Sequence, residues 1–197
     1  MRNANPSSLA VGSETSSSVL VQAAGVAGFA LLTGLAAQVA IPLPNTPIPI
    51  TLQTLVVTLA GITLGPWLGA ASMAFYLLLG VCGTYVFAAG SWGFETILSA
   101  RGGYLLGFLL AQPLLGWLAR PAPRPFWGVA AGLLAAKVVI FGCGLIGLQL
   151  ALGGTLNETA QRGLYPFLPG DVVKTIAALA LAYPALRLRA TWFRSGW

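Results

Sequence analysis

From Thr15 to Phe94 the chain carries no charged side chain. A soluble domain carries about a quarter charged residues, spread so that every face meets water. Here charged residues make up 7% of the whole chain and hydrophobic ones 57%. So few charges cannot solvate the surface of a soluble fold, and lipid must therefore be the solvent for most of it. The sequence predicts an all-α integral membrane protein. The net charge of +6 does not point to nucleic acid, because the basic residues punctuate apolar runs instead of interleaving with aromatics on a polar face.

Six apolar segments have the character of membrane helices, at about residues 20–41, 48–64, 66–81, 102–119, 126–150 and 169–188. A spanning helix needs ~20 residues, so the second is marginal and the third is short. Residues 1–18 are polar and Ser-rich, offer little to bury, and are expected to be a disordered tail ahead of a 19–192 membrane domain. With six spans, one set of connections holds Arg2, Arg120, Arg124, Arg187, Arg189 and Arg194, whereas the other holds only Arg101 and Arg162. Basic residues concentrate in cytoplasmic segments, so both termini are expected inside the cell.

The connections assigned to the outside are long. Residues 42–49 contain Pro42, Pro44, Pro47 and Pro49, which cannot be helical because proline lacks an amide donor and restricts its predecessor. Residues 82–101 are rich in glycine and aromatics, and 153–168 form a third loop. Long structured loops on one face only point to outer loops capping a ligand site.

An ionisable group at membrane depth costs ~2.5–3.5 kcal/mol on insertion scales, so each is a functional candidate. Asp171 and Lys174 lie three apart at the outer start of the last helix and so share a face. Two readings stay open: Asp171 caps the helix with Lys174 neutralising it, or the pair holds a ligand offering both N–H donors and a carboxylate. Arg101 either anchors the fourth helix at the interface or receives a carboxylate in bidentate fashion. Lys137 sits about mid-membrane in the fifth helix with no partner evident from sequence. Ala23, Ala27, Ala30, Gly34 and Ala37 form a small-residue stripe, which either packs inside the bundle or receives another subunit. The Gly103/Gly107 and Gly128/Gly132 pairs mark close helix packing. Cys82 and Cys143 have no ligand spacing around them and read as packing residues; with histidine absent, no metal site or Cys/His nucleophile is expected. An intramembrane enzyme would have only Glu95, Glu158 and Asp171 as acids beyond the tail, and a pore would need polar residues along several helices. There is no Walker-type loop, so any use of ATP must come from partners.

Four motifs then carry a resemblance: IPLPNTPIPITLQTL at residues 41–55, LAGITLG at 59–65, GGYLLGF at 102–108 and PFLPGDVVK at 166–174. In this order they closely resemble the BioY family, the biotin-binding S components of energy-coupling factor transporters, over roughly residues 20–190. The resemblance implies a six-helix protein of the bacterial inner membrane. It implies capture of biotin outside, without cofactor or catalytic activity, and work with a transmembrane coupling subunit and two cytoplasmic ATPase subunits. A stand-alone facilitator of biotin or another vitamin is the alternative. It also implies that Asp171 and Lys174 contact the ligand, that the motif of Gly102, Gly103 and Tyr104 belongs to the site, and that Ala23, Ala27, Ala30 and Gly34 dock the coupling subunit. Ala100-Arg101 stands where Pro-Thr is common in the family. Biotin's ureido ring, apolar sulfur ring and carboxylate suit this set. Asp171 would accept ureido N–H bonds, Lys174 would serve the carbonyl or carboxylate, and Arg101 would take the carboxylate. Phe87, Trp92 and Tyr104 would wall the apolar middle.

Overall fold

The computed structural model describes residues 7–120 and 125–192, with side chains over 18–120 and 126–191. Arg2, Arg124, Arg194 and the first part of the polar tail lie outside the described residues. The chain is predominantly helical. Helix α1 (Ser7–Gln38) leads into a two-residue ribbon, β1 (Ala40–Ile41) against β2 (Ile50–Thr51), followed by α2 (Gln53–Leu64) and α3 (Pro66–Val81). After a loop containing a single 3₁₀ turn come α4 (Phe94–Leu98), α5 (Gly102–Leu118), α6 (Pro125–Leu152), α7 (Leu156–Gly163) and α8 (Leu168–Trp192).

Several boundaries differ from the sequence expectation, each for a local reason. Residues 7–17, expected as disordered tail, continue α1 as helix. The second helix starts at Gln53 and not Ile48, because Ile50 and Thr51 pair with Ile41 and Ala40 in an antiparallel ribbon. The proline-rich connection is thus a loop closed at its base, with Asn45 in the left-handed region at φ 69°. The loops at 82–101 and 153–168 hold the short helices α4 and α7. Helix α7 starts at a capping box in which the Glu158 amide donates to Thr155 Oγ1 and the Thr155 amide donates to Glu158 Oε2. The latter bond, joined by Thr155's other contacts, holds the Glu158 carboxyl below the ordinary carboxylate range. A 52° bend joins α7 to α8.

By length and composition, residues 18–38 and 126–152 are long and apolar enough to cross a membrane, and a third span forms if α7 and α8 count as one broken helix. Helices α2, α3 and α5 are shorter apolar helices. With 12 residues, α2 reaches ~18 Å at 1.5 Å per residue, and the ribbon and loop above it complete the layer.

The helices run alternately up and down, and the packing is set by small residues. Helix α5 lies along most of α6. A Cβ on Gly103 would sit 2.2 Å from Cys143 O, and one on Gly147 would sit 2.7 Å from Gly103 Cα, so the two backbones touch only because both positions lack a side chain. At one end of the bundle Gly65 turns α2 into α3 at φ 82°, and Gly116 packs against that elbow. The buried Arg189 reaches across from α8 and donates to Gly116 O and Ala119 O, both at 2.9 Å, closing the end of α5. The small-residue stripe of α1 is divided: Ala30, Gly34 and Ala37 are buried in the bundle, with Gly34 against Val86, whereas Ala23 is exposed and Ala27 half-buried. Ser72 on α3 donates to Val26 O, fixing the α1–α3 contact at 2.9 Å.

The outward faces of the helices are apolar in mid-bundle, for example Leu31, Leu78, Leu110, Leu134 and Ile176. Exposed aromatics gather at the two ends. Trp67, Trp117, Phe126 and Trp127 ring the end that carries Arg120 and Arg189, with Trp67 and Trp117 edge to face at 5.7 Å. Tyr85, Trp92, Phe94 and Tyr165 stand at the other. Two aromatic belts around an apolar band are the signature of a bilayer-embedded surface.

Candidate functional site

A cavity opens beneath the proline-rich loop, at the end of the bundle opposite Arg189. Its wall is drawn from every element that meets there: Pro49 and Thr51 from the ribbon region, Gln53 and Thr54 at the start of α2, Phe87 from the 82–93 loop, Arg101 just before α5 and Tyr104 on it, Phe141 on α6, and Asp171 and Lys174 on α8. Of the six residues expected from sequence to contact ligand, five (Asp171, Lys174, Arg101, Tyr104 and Phe87) come together here.

Each is placed by a local cause. Phe87 is fully buried, its ring edge to face with Tyr76 at 5.5 Å. It reaches that place because residue 80 is glycine; a Cβ there would fall 2.1 Å from the Phe87 ring. The Gln53 amide donates to Tyr76 Oη at 2.7 Å, Tyr76 donates to Val86 O at 3.2 Å, and Thr51 donates to Gln53 Oε1 at 3.0 Å. This chain of bonds ties ribbon, α2, α3 and loop into one wall. The Gly102-Gly103-Tyr104 motif divides its work. Gly102 lets the α4 backbone close in, since a Cβ would meet Ile97 O at 1.6 Å, and Gly103 admits α6. Tyr104 lies over Gly144 and donates to Gly163 O at 2.6 Å, anchoring the end of α7. Its ring is 6.4 Å from that of Phe141 and 6.5 Å from that of Phe167.

The charged groups are arranged differently from the sequence expectation. Asp171 is buried, and its Oδ1 accepts from Lys137 Nζ at 2.6 Å. Lys174, three residues along the same helix, stands 4.0 Å from that oxygen and instead donates to Thr51 O at 3.1 Å. The direct partner of Asp171 is therefore Lys137 on α6, with Lys174 a second, longer ion-pair contact. Mid-helix placement flagged Lys137 as a candidate, but a partner 34 residues away cannot be read from spacing. Arg101 straps the two outer loops together, with Nε donating to Pro47 O at 3.1 Å and Nη1 to Ala88 O at 3.2 Å and Ser91 Oγ at 3.3 Å. Thr54 Oγ1 is buried against the cavity without a hydrogen-bond partner, a polar atom with spare capacity that sequence gave no reason to single out.

Trp92 stands outside the cavity. The left-handed turn at Ala89 (φ 56°) and Gly90 (φ 69°) carries it outward, where it is half exposed and meets the Tyr85 ring at 5.9 Å. It lines a separate surface depression with Phe94 and Glu95.

Comparison with known proteins agrees with this geometry. The profile of the BioY family matches residues 9–191. The probable biotin transporter BioY of Pyrococcus horikoshii is 38% identical over 157 residues, covering 80% of this chain and 91% of that protein. The biotin transporter BioY of Thermotoga maritima is 33% identical over 149 residues, covering 76% of this chain and 85% of that one. Among solved structures, the S-component for biotin from an ECF-type ABC transporter superposes with a TM-score of 0.77 at 25% identity, over 88% of this chain and 95% of that one. A profile match across nearly the whole sequence, full-length relatives and a shared architecture place this chain in the BioY family.

Proposed function

We propose that this protein is the biotin-capturing S component of an energy-coupling factor transporter. The observation that carries the reading is the partly covered cavity in which the acid and the amine of α8 face a wall of aromatic and apolar groups, beneath the loops, in a chain of the BioY family. A charged group inside a lipid-facing bundle is retained when it serves a ligand or another charge, and here it does both. Asp171 accepts the ureido N–H groups, Lys174 serves the carbonyl or the carboxylate, and Arg101 takes the carboxylate at the mouth. Phe87 and Tyr104 enclose the apolar middle. In a water-poor site an analogue lacking one of these groups leaves a buried partner unpaired, which is the source of selectivity.

The same reading places six spans in the cell's inner membrane with both termini in the cytoplasm. Supporting it, Arg120, Arg187 and Arg189 lie at the end of the bundle opposite Arg101 and Arg162, as basic residues do on the cytoplasmic side. The chain has no catalytic activity of its own. ATP is spent by two cytoplasmic ATPase subunits through a transmembrane coupling subunit, which docks on α1. The exposed Ala23 and half-buried Ala27 remain open to that contact, whereas Ala30 and Gly34 are used inside the bundle.

Equilibrium binding of radiolabelled biotin to the purified protein in detergent tests the central claim. Saturable binding is expected, and none at micromolar ligand would overturn it. Replacing Lys174 by Ala is expected to weaken binding by about 2 kcal/mol, roughly 30-fold, as for a desolvated charge pair. Unchanged affinity would remove Lys174 from the site. Uptake that is lost in cells without the coupling subunits, and restored with them, separates the subunit from a stand-alone facilitator.

A further inference from the structure

The three charges at the cavity do not form a symmetrical cluster. Lys137 and Asp171 are in hydrogen-bond contact at 2.6 Å, whereas Lys174 and Asp171 at 4.0 Å are not. Of these three, Asp171 and Lys174 line the cavity, as Arg101 also does; Lys137 approaches the carboxylate from α6, outside the lining, and is itself buried. Both lysine contacts fall on Oδ1, and among the described residues no hydrogen bond engages Oδ2.

This asymmetry has an electrostatic reason. A buried carboxylate must have a counter-ion, since breaking a buried pair by removing one partner costs far more than the pair contributes. If Lys174 were that counter-ion, every move it made toward a ligand would leave Asp171 uncompensated. Lys137 removes the conflict by pairing permanently with the acid from behind. It spends Oδ1, leaving Oδ2 for incoming N–H groups and Lys174 to exchange Thr51 O for a ligand oxygen. Resting on the biotin-binding reading above, we infer that Lys137 is a positioning residue of the binding site. It holds Asp171 as an oriented, charged acceptor and frees Lys174 for the ligand, without touching the ligand itself. Its removal would convert the cluster from one surplus positive charge to neutral and draw Lys174 into the vacated pairing with Asp171.

The test is a double-mutant cycle on the purified full chain, with biotin affinity as the readout and thermal stability of the ligand-free protein measured beside it. Lys137→Gln, which removes the charge and keeps a donor, is expected to weaken biotin binding at least about tenfold. Lys137→Arg, which restores a cation, is expected to bind more tightly than the Gln variant. In an Asp171→Asn background, where there is no carboxylate left to orient, adding Lys137→Gln is expected to change affinity by less than about threefold. Wild-type affinity in Lys137→Gln, even with lowered thermal stability, would overturn the inference by leaving only a structural role. So would losses that multiply in the double variant, because Lys137 would then act independently of Asp171. Should Lys137→Gln lose its fold, the double variant, in which neither member of the buried pair is charged, decides: it is expected to fold and to match Asp171→Asn, and weaker binding overturns the proposal. Failure of the wild-type protein to bind biotin would instead refute the functional reading, a separate result from any in the cycle.

Discussion

Tyr104 shows how one side chain can serve both wall and scaffold. Its ring lies over Gly144 and beside Phe141 and Phe167, and its hydroxyl closes on Gly163 O. Tyr104→Phe removes only that bond, so a stability loss of about 1 kcal/mol is expected, read as a lower thermal midpoint. A small change in biotin affinity would go with it, because the ring stays in place. Gly80 makes the converse case. Gly80→Ala places a methyl 2.1 Å from the Phe87 ring, which has the buried Tyr76 behind it and cannot retreat. Overpacking of this kind costs about 1–3 kcal/mol. The variant is expected to lose biotin affinity as Phe87 is expelled from the wall; an unchanged dissociation constant would show that Phe87 does not line the occupied site.

Among the elements, the cover over the cavity is assembled from three separate parts. The proline-rich loop rests on a two-residue ribbon, the 82–93 loop on a 3₁₀ turn, and α7 on its capping box and the bond from Tyr104. Arg101 joins the first two through three hydrogen bonds, and its position at the cavity lets the same guanidinium meet a ligand carboxylate. In the proposed function, capture of the ligand and closure of the loops are then coupled through one side chain. Arg101→Ala is expected to raise the biotin dissociation rate about tenfold or more while altering association little, since interface losses fall mainly on the off-rate. A pulse–chase exchange experiment measures both. Equal effects on the two rates would mean that Arg101 steers the ligand inward and does not hold the cover shut.

For the whole molecule, orientation follows from where charges and aromatics end up. Cys82 caps α3 at the cavity end and is exposed, whereas Cys143 is half-buried on α6, its backbone pressed against Gly103. A membrane-impermeant maleimide added to intact cells whose outer surface is accessible is expected to label Cys82 and leave Cys143 unmodified. Labelling of Cys82 only after the membrane is opened would reverse the proposed topology. The end opposite the cavity is closed by Arg189 on the α5 carbonyls, a lock that needs Gly65 and Gly116 to let three helix ends meet.

The sequence alone determined the helical, apolar character of the chain and roughly where its helices lie. A chain with no charge between Thr15 and Phe94 leaves its helices no surface but lipid, and proline and glycine runs end them where they must end. It also singled out candidate site residues, because every charge within the apolar helices is conspicuous against such a background. What it could not supply was pairing. The i,i+3 spacing pointed from Asp171 to Lys174, and that contact exists at 4.0 Å, yet the shorter, hydrogen-bonded pair forms with Lys137 on another helix. Trp92, one residue from Ser91 in the same glycine-rich run as Phe87, faces outward because of two left-handed residues. The Ala-rich stripe of α1 serves two environments at once. These outcomes depend on helix rotation and on contacts between residues far apart in sequence, which local spacing does not encode and only close packing of the bundle decides.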